Sequence, residues 1–322
     1  MDSMTARAAY VIRIDCAWDG GELESEVGIV QGNRPRDMGS DVLMGLSRCL
    51  EQRKSYALVR SAEQADAVKK YGAEPIFLGL NDHSGVAEAI IQAEITIIYY
   101  LIDAYSAKHQ PALIKALGDV KKKTGKDVHF LHTAGAKEFS SHAGMPTHSP
   151  LLDTDPQLYE LQKTAKARHD FAESINAVVR VIDTAEALGV RSYILAPCIV
   201  YGKDEGFGNQ TSIQDVAIVN AAMKLRRTWP VCHIIDTTTL YLQILRKILS
   251  GDDIGYGKHG YFLAASGSIH WKDLYSAMAQ SLAKRGVIED EAVTQADEAD
   301  MKKMGEALKV SPEVVPVLLG GE

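Results

Sequence analysis

The apolar positions of this chain fall into short continuous runs that alternate with segments of helical spacing. The run from Ser192 to Val200 is rich in β-branched and aromatic residues, follows Gly189 and ends before a turn at Gly202. A short apolar run between turn signals is typical of a strand buried on both faces, as in a parallel sheet. Ligands bind beyond the carboxyl ends of such strands, so we expect a ligand beside the segment Pro197 to Gln210.

Earlier in the chain, strand and helix patterns alternate regularly. The predicted strands are Val27–Gln31, Tyr56–Val59, Pro75–Gly79, Ile95–Ile102 and Val128–His132. The helices predicted around them are Val42–Leu50, Ala62–Tyr71, Gly85–Ala93, Pro111–Lys122 and Ser174–Leu188. Such alternation implies right-handed crossovers, and therefore an α/β fold with a doubly wound parallel sheet.

The alternation is lost beyond Gly202. Helices predominate there, predicted at Ile213–Arg226, before Ser250, at Trp271–Arg285 and at Asp297–Leu308, with one strand in the segment GYFLAAS. We therefore predict a nucleotide-binding domain over 27–202 and a smaller, mostly helical C-terminal substrate lobe over 203–322. Residues 1–26 fit neither pattern and are interpreted as an appendage.

Charge and cysteine usage narrow the classes of function. The net charge of −7 and the pI near 5.8 give no general attraction to nucleic acid or to an anionic membrane surface. No apolar run is long enough to span a bilayer, and no basic start precedes an apolar stretch, so we expect no secretory signal. The cysteines, Cys16, Cys49, Cys198 and Cys232, are scattered without metal-ligand spacing. This pattern predicts a reducing, cytoplasmic setting and no metal site.

A glycine-containing turn follows the first predicted strand. Strand, turn and helix in this order form the context in which a glycine-rich turn holds a pyrophosphate at a helix N-terminus. Gly32 and Gly39 would be its first and last glycines, with no middle glycine between them. Pro35 removes an amide donor, whereas Arg36 could contact a phosphate through its charge. A working cofactor turn and a plain surface loop are equally open interpretations.

Arg60 ends the second predicted strand, 21 residues after Gly39. At this distance an acidic residue would bind the ribose 2′-hydroxyl of NAD. An arginine without a neighbouring acid favours the 2′-phosphate of NADP instead, with NAD left open. The alternative is a solvated arginine at a strand end.

Tyr159 and Lys163 are four residues apart on a predicted helix that begins near Pro156. Residues at this spacing lie on one helix face, where an ammonium can lower the pKa of a phenol. Such a tyrosine can exchange a proton with a carbonyl or alcohol while a nicotinamide moves the hydride. Thr133, at the end of the fifth predicted strand, would hydrogen-bond the same substrate oxygen. A surface Tyr/Lys pair is the alternative, and the 34 residues from Lys163 to Pro197 exceed what one helix and a turn require.

Three motifs carry a resemblance to a known family. They are His132-Thr133-Ala134-Gly135, the block from Pro197 to Gln210 that contains VYGK and GNQ, and His233-Ile234-Ile235-Asp236. With these motifs the chain resembles an atypical branch of the extended short-chain dehydrogenase/reductases, in the NAD-dependent epimerase/dehydratase superfamily. The resemblance covers about Gly39 to Arg285 and is specific in the VYGK and GNQ block.

The resemblance implies a Rossmann core that binds NAD(P), a small C-terminal substrate lobe and Ser/Thr-Tyr-Lys chemistry. In the family an Asp directly after a glycine contacts adenine; this chain departs from that pattern with Gly79-Leu80-Asn81-Asp82, and Asp82 is the acid expected to make the contact. We expect Pro197 beside the cofactor. Tyr201, Asn209 and Gln210 would line the substrate side. The chain departs from the family pattern at the missing middle glycine and at Ala134, where a serine is expected.

These features favour an NAD(P)-dependent oxidoreductase or epimerase acting on a small carbonyl, alcohol or sugar-like substrate. The alternatives are a non-catalytic NAD(P)-binding sensor of the same fold and an inactive remnant. The expected partner is a small-molecule substrate, without nucleic acid or membrane, and a homo-oligomer is left open.

Overall fold

A parallel sheet forms the centre of the part of the chain that the structure, a computed structural model, describes. That part comprises residues 27–31, 55–167, 169–201, 231–264, 271–293, 297–308 and 310–315. Its strands are β1 (Val27–Gln31), β2 (Ser55–Val59), β3 (Ala73–Phe77), β4 (Ile97–Leu101), β5 (His129–Thr133), β6 (Arg191–Pro197), β7 (Ile199–Tyr201), β8 (Val231–His233) and β9 (Tyr261–Ala264).

Seven of these strands pair in parallel in the order β3-β2-β1-β4-β5-β6-β9, and β7 pairs with β8 separately. The chain moves from β1 outward to β2 and β3, then returns to the other side of β1 with β4. The strand order therefore reverses between β1 and β4, which is the switch point where α/β sheets bind ligands. The predicted doubly wound α/β architecture is confirmed.

The helices follow the strands in the expected alternation. They are α1 (Ala62–Lys69), α2 (His83–Gln92), α3 (Gln110–Thr124), α4 (Leu158–Thr164), α5 (His169–Leu188), α6 (Ile234–Leu249), α7 (Trp271–Lys284) and α8 (Glu298–Leu308). Short 3-10 turns lie at Ala136–Phe139, Ser141–Ala143, Gly257–His259 and Pro312–Val314. None of the described helices is both long enough and apolar enough to cross a membrane.

Two apolar cores cover the two faces of the sheet. On the first face, helices α2, α3, α4 and α5 pack on the strands through residues such as Ile114, Leu117 and Val178. On the second face, α1 and α6 pack on the strands through Val68, Ile244 and other apolar residues. Successive side chains along one strand therefore pack in the two different cores in turn.

Three predicted boundaries need correction. The apolar run Ser192 to Val200 is not one strand: β6 ends at Pro197, and β7 starts at Ile199 in another sheet. The crossover helix α5 begins at His169 rather than Ser174, whereas the helix predicted to begin near Pro156 is present as the short helix α4. Strand β9 and helix α6, both beyond Gly202, are built into the main sheet and its second core.

The predicted helices Val42–Leu50 and Ile213–Arg226, the appendage 1–26 and much of the predicted lobe lie outside the described residues. The division of the chain into domains therefore stays a prediction.

Candidate functional site

A cavity of about 520 Å³ lies at the carboxyl ends of β6 and β9. Ala196 and Cys198 line it from the end of β6, and Leu263 and Ala264 line it from β9. The remaining lining residues belong to the connection between β5 and α4: Ala136, Phe139, Thr147, His148, Ser149, Pro150 and Leu151. The cavity is thus on the first face, beside Pro197, where the sequence predicts a ligand.

One hydrogen bond attaches the wall of this cavity to the sheet. The backbone N–H of Leu263 donates to Oδ2 of Asp153 at 3.2 Å. Strand β9 is the last strand in the sheet order, and this N–H belongs to it. The segment from Thr147 to Asp153, which we call the wall segment, is therefore held against the end of the sheet.

Thr133 is the last residue of β5 and is buried. Its Oγ1 lies 2.7 Å from the Oη of Tyr241, a residue of α6 on the second face. Tyr99 stacks on Tyr241 at 6.2 Å between ring centroids, and its hydroxyl donates to the Tyr241 carbonyl at 3.1 Å. The Thr133 hydroxyl is thus engaged by a tyrosine on the face of the sheet opposite to the cavity. Tyr241 was not predicted as a site residue, because it carries no sequence signal beyond its place in an amphipathic helix.

Tyr159 and Lys163 do interact as their spacing predicts. Nζ of Lys163 donates to the Tyr159 hydroxyl at 2.9 Å. The Tyr159 hydroxyl donates a short hydrogen bond to Asp183 of α5, and Nζ of Lys163 lies 3.5 Å from that carboxylate. Two ammonium groups flank the Tyr159 ring: Lys258 at 4.9 Å and Lys163 at 5.1 Å from its centroid.

The environment of Tyr159 moves its pKa in the opposite direction to the one predicted. Burial of the ring and the hydrogen bond to Asp183 raise the pKa of Tyr159 above its ordinary value, against the lowering effect of Lys163. A phenol with a raised pKa stays protonated near neutral pH and is a poor proton acceptor.

The structure places Thr133 on the second face of the sheet and Tyr159 on the first face, so it does not bring Thr133 together with Tyr159 and Lys163. Asp183 lies near the end of α5, which returns to the start of β6, and Lys258 precedes the start of β9. The Tyr159 hydroxyl therefore points to the amino-terminal half of the sheet, on the first face. Thr133 lies at the carboxyl end, on the second face. Of the described residues that line the cavity, none is Thr133, Tyr159 or Lys163.

Arg60 and Asp82 follow the carboxyl ends of β2 and β3, on the switch-point side of the sheet. Arg60 is exposed, and its backbone N–H donates to the Gln64 side chain at 2.9 Å. Asp82 is the N-cap of α2, where its Oδ1 accepts from the Gly85 N–H at 2.9 Å. A Cβ on Gly85 would collide with the Asp82 carboxylate, which would then have to shift. The adenine contact of Asp82 stays a prediction beside this structural role.

The other predicted site residues are less fully described. Pro197 ends β6 opposite Ala264 of β9, and Tyr201 ends β7 paired with His233. The predicted glycine turn and part of the substrate segment lie outside the described residues: Gly32, Arg36, Gly39, Asn209 and Gln210.

Two histidines meet at the carboxyl edge, a contact that the sequence analysis did not anticipate. Nε2 of His83, the first residue of α2, lies 3.0 Å from Nδ1 of His109, the N-cap of α3. Burial and the neighbouring His83 lower the pKa of His109. Among the described residues no group of three or more His, Cys, Asp or Glu side chains could hold a metal ion.

Solved structures of similar fold include three enzymes. The dTDP-glucose 4,6-dehydratase of Bacillus anthracis, in complex with NAD, is 10% identical over 86% of this chain and 88% of its own, with a TM-score of 0.52. Vestitone reductase from alfalfa is 13% identical over 77% of this chain and 78% of its own, with a TM-score of 0.49. UDP-glucose 4-epimerase from Brucella ovis, in complex with NAD, is 13% identical over 66% and 69%, with a TM-score of 0.45.

At such low identity the likeness to the dehydratase shows the fold alone. The fold of this chain is a Rossmann fold, the architecture that the sequence motifs predicted. No protein-family model matches the chain, and no curated protein matches its sequence.

Proposed function

We propose that this protein is an NAD(P)-dependent oxidoreductase or epimerase that acts on a small carbonyl or alcohol. The observation that carries the proposal is the position of the cavity at the carboxyl edge of a doubly wound sheet. A dinucleotide bound across the switch point between β1 and β4 would lie along this same edge, and its nicotinamide could reach the cavity.

The described residues on the switch-point side are compatible with a dinucleotide. Arg60 offers an exposed guanidinium after β2, where it would pair with the 2′-phosphate of NADP. Bound there, the cofactor would supply hydride transfer, and the protein's own residues would orient the substrate and exclude water. The proposal therefore favours NADP over NAD.

In this proposal Tyr159 is not the residue that exchanges a proton with the substrate. Its hydroxyl is engaged by Asp183 and Lys163, and it is not among the residues that line the cavity. The polar side chains that do line the cavity are Thr147, His148, Ser149 and Cys198. Of these, the imidazole of His148 is the side chain of the type that most often transfers protons in enzymes.

A non-catalytic NADP-binding sensor is the second candidate. The observation that favours it is the position of Thr133 and Tyr159, since neither hydroxyl is presented to the cavity. A sensor needs the dinucleotide site but no proton-transfer group. His148→Ala separates the two functions, because a catalytic role predicts loss of carbonyl reduction at unchanged NADPH affinity.

Calorimetric titration with NADPH and NADH tests the proposal. We expect NADPH to bind, and Arg60→Ala to weaken NADPH binding about tenfold, the effect of losing one charge-assisted contact. NADH affinity should stay unchanged in this variant. Lys69→Ala is a matched control, because Lys69 lies in the last turn of α1, toward the opposite edge. Absence of binding by either cofactor at millimolar concentration would overturn the proposal.

A further inference from the structure

Most of the described lining residues of the cavity are apolar, and none carries a permanent charge. Its apolar members are Ala136, Phe139, Pro150, Leu151, Ala196, Leu263 and Ala264. The polar members are Thr147, His148 and Ser149, which are consecutive on the wall segment, and Cys198, which follows the end of β6. Among the lining residues that the structure describes, none is Lys, Arg, Asp or Glu.

We propose that this cavity takes an uncharged carbonyl or alcohol compound with an apolar, ring-sized body, rather than a sugar nucleotide. The inference rests on the proposed function and names the substrate class of the same site. A volume of about 520 Å³ is within the usual range of small-ligand pockets. A nucleotide diphosphate would bring two negative charges, which need basic side chains as partners when they leave water.

The arrangement of the wall indicates how such a compound would be oriented. Its apolar body would lie against Phe139, Leu151 and Leu263. Its oxygen would face the consecutive polar residues from Thr147 to Ser149. This division between one apolar side and one polar edge is typical of pockets that fix the orientation of a small apolar ligand.

The apolar side of the cavity is held in place before any ligand enters. The Phe139 ring packs edge-on against Tyr261 at 6.0 Å between centroids. The Tyr261 hydroxyl donates to Oε1 of Gln162 at 2.9 Å, and Asp153 holds the wall segment to Leu263. Preorganisation of this kind reduces the free energy lost in ordering a binding site.

Leu151 and its neighbour Leu152 provide a matched pair of variants. Leu151 is half-buried and lines the cavity, whereas Leu152 is 60% exposed and is not among the lining residues. An arginine at position 151 would place a charge against the apolar wall, while an arginine at 152 would stay in water. Leu151→Ala is a milder variant that removes apolar contact without adding charge.

The test is saturation-transfer NMR on the full chain, with 4-phenyl-2-butanone and UDP-glucose as probes. We expect the ketone to bind and UDP-glucose not to bind. Leu151→Arg should weaken ketone binding about tenfold and Leu151→Ala about fivefold, from loss of apolar burial and the cost of a desolvated charge. Leu152→Arg should leave ketone binding within about twofold of the original, as for a solvated surface change.

Three results would overturn the inference. The first is binding of UDP-glucose with higher affinity than the ketone. The second is no detectable ketone binding, and the third is ketone binding that Leu151→Ala and Leu152→Arg change equally. The probes are measured both with NADPH and without cofactor. Failure of this inference is therefore distinguishable from failure of NADPH to bind.

Discussion

Oγ1 of Thr133 lies 2.7 Å from Oη of Tyr241, on the face of the sheet opposite to Tyr159. Both hydroxyls of this pair are buried, so each satisfies the other where water does not reach. The pair therefore joins β5 to α6 and stabilises the packing of a helix from the C-terminal part of the chain on the sheet.

Replacing Thr133 by Val should lower the free energy of unfolding by roughly 1–3 kcal/mol, because Tyr241 then loses a buried partner. The double variant with Tyr241→Phe should lose less than the sum of the two single variants. Urea denaturation measures all three. Thr164→Val is the control, since its exposed hydroxyl donates to the carbonyls of Glu160 and Leu161 within α4. Equal stability of Thr133→Val and the original protein would contradict the assigned contact.

Tyr159→Phe should reduce stability rather than activity. The variant removes the hydroxyl that links α4 to Asp183 of α5, a loss of roughly 1 kcal/mol for a partly exposed charged partner. NADPH affinity and any carbonyl reduction should change less than twofold. Tyr105→Phe, at a phenol that is 70% exposed, is the control. A hundredfold loss of turnover at unchanged NADPH affinity would restore Tyr159 as the proton donor.

Asp82→Ala should lower the free energy of unfolding by about 1 kcal/mol, the usual cost of losing a helix N-cap. Asp82→Ser should retain most of the stability, because serine also caps helices but is too short to extend to an adenine. Thermal unfolding and NADPH titration of the two variants separate the structural role from the cofactor role. A loss of NADPH affinity in Asp82→Ser at unchanged stability would establish the adenine contact.

His129 makes stability depend on pH. Burial, followed by the charge of Arg191, lowers the pKa of His129 to about 3 in the folded protein, against about 6.5 in an unfolded chain. The unfolded state therefore binds more protons between these values, and stability falls as pH drops from about 6.5 toward 3. The contribution of this one group is up to about 1.4 kcal/mol per pH unit.

Urea denaturation of His129→Phe between pH 7 and pH 4 measures this contribution. The variant should show a shallower loss of stability with falling pH, whatever its stability at pH 7. Tyr193→Phe is the control, because it removes the hydrogen-bond partner of His129 but keeps the titrating group. Identical slopes for His129→Phe and the original protein would show that His129 is not held neutral.

Continuous apolar runs carried most of the fold information in the sequence. Strand β4 is buried along its whole length, so its sequence is continuously apolar and is readily predicted as a strand of a parallel sheet. The break between β6 and β7 was hidden, because Cys198 and Ile199 continue the apolar run while the backbone leaves the sheet. Periodicity reports burial, but it does not report which sheet a buried strand joins.

The candidate site was predicted less well than the fold, and Tyr159 shows why. Its i, i+4 spacing to Lys163 correctly predicted a contact within one helix. Spacing alone does not say which edge of the sheet that helix face meets. The long separation from Lys163 to Pro197 was the useful signal, since α5 occupies it and separates α4 from β6. Strand alternation places Thr133 on the same face as Leu131, in the second core.

The hydrogen bond from the Leu263 N–H to Asp153 affects whether β9 can pair with a strand from another molecule. An outermost strand with unsatisfied amides can recruit a strand from another polypeptide, and this is a common start of aggregation. At Leu263 the backbone N–H already donates to the Asp153 carboxylate, so it is not available to pair with an incoming strand. The same acid that holds the wall segment against the sheet thus also helps to keep neighbouring molecules apart.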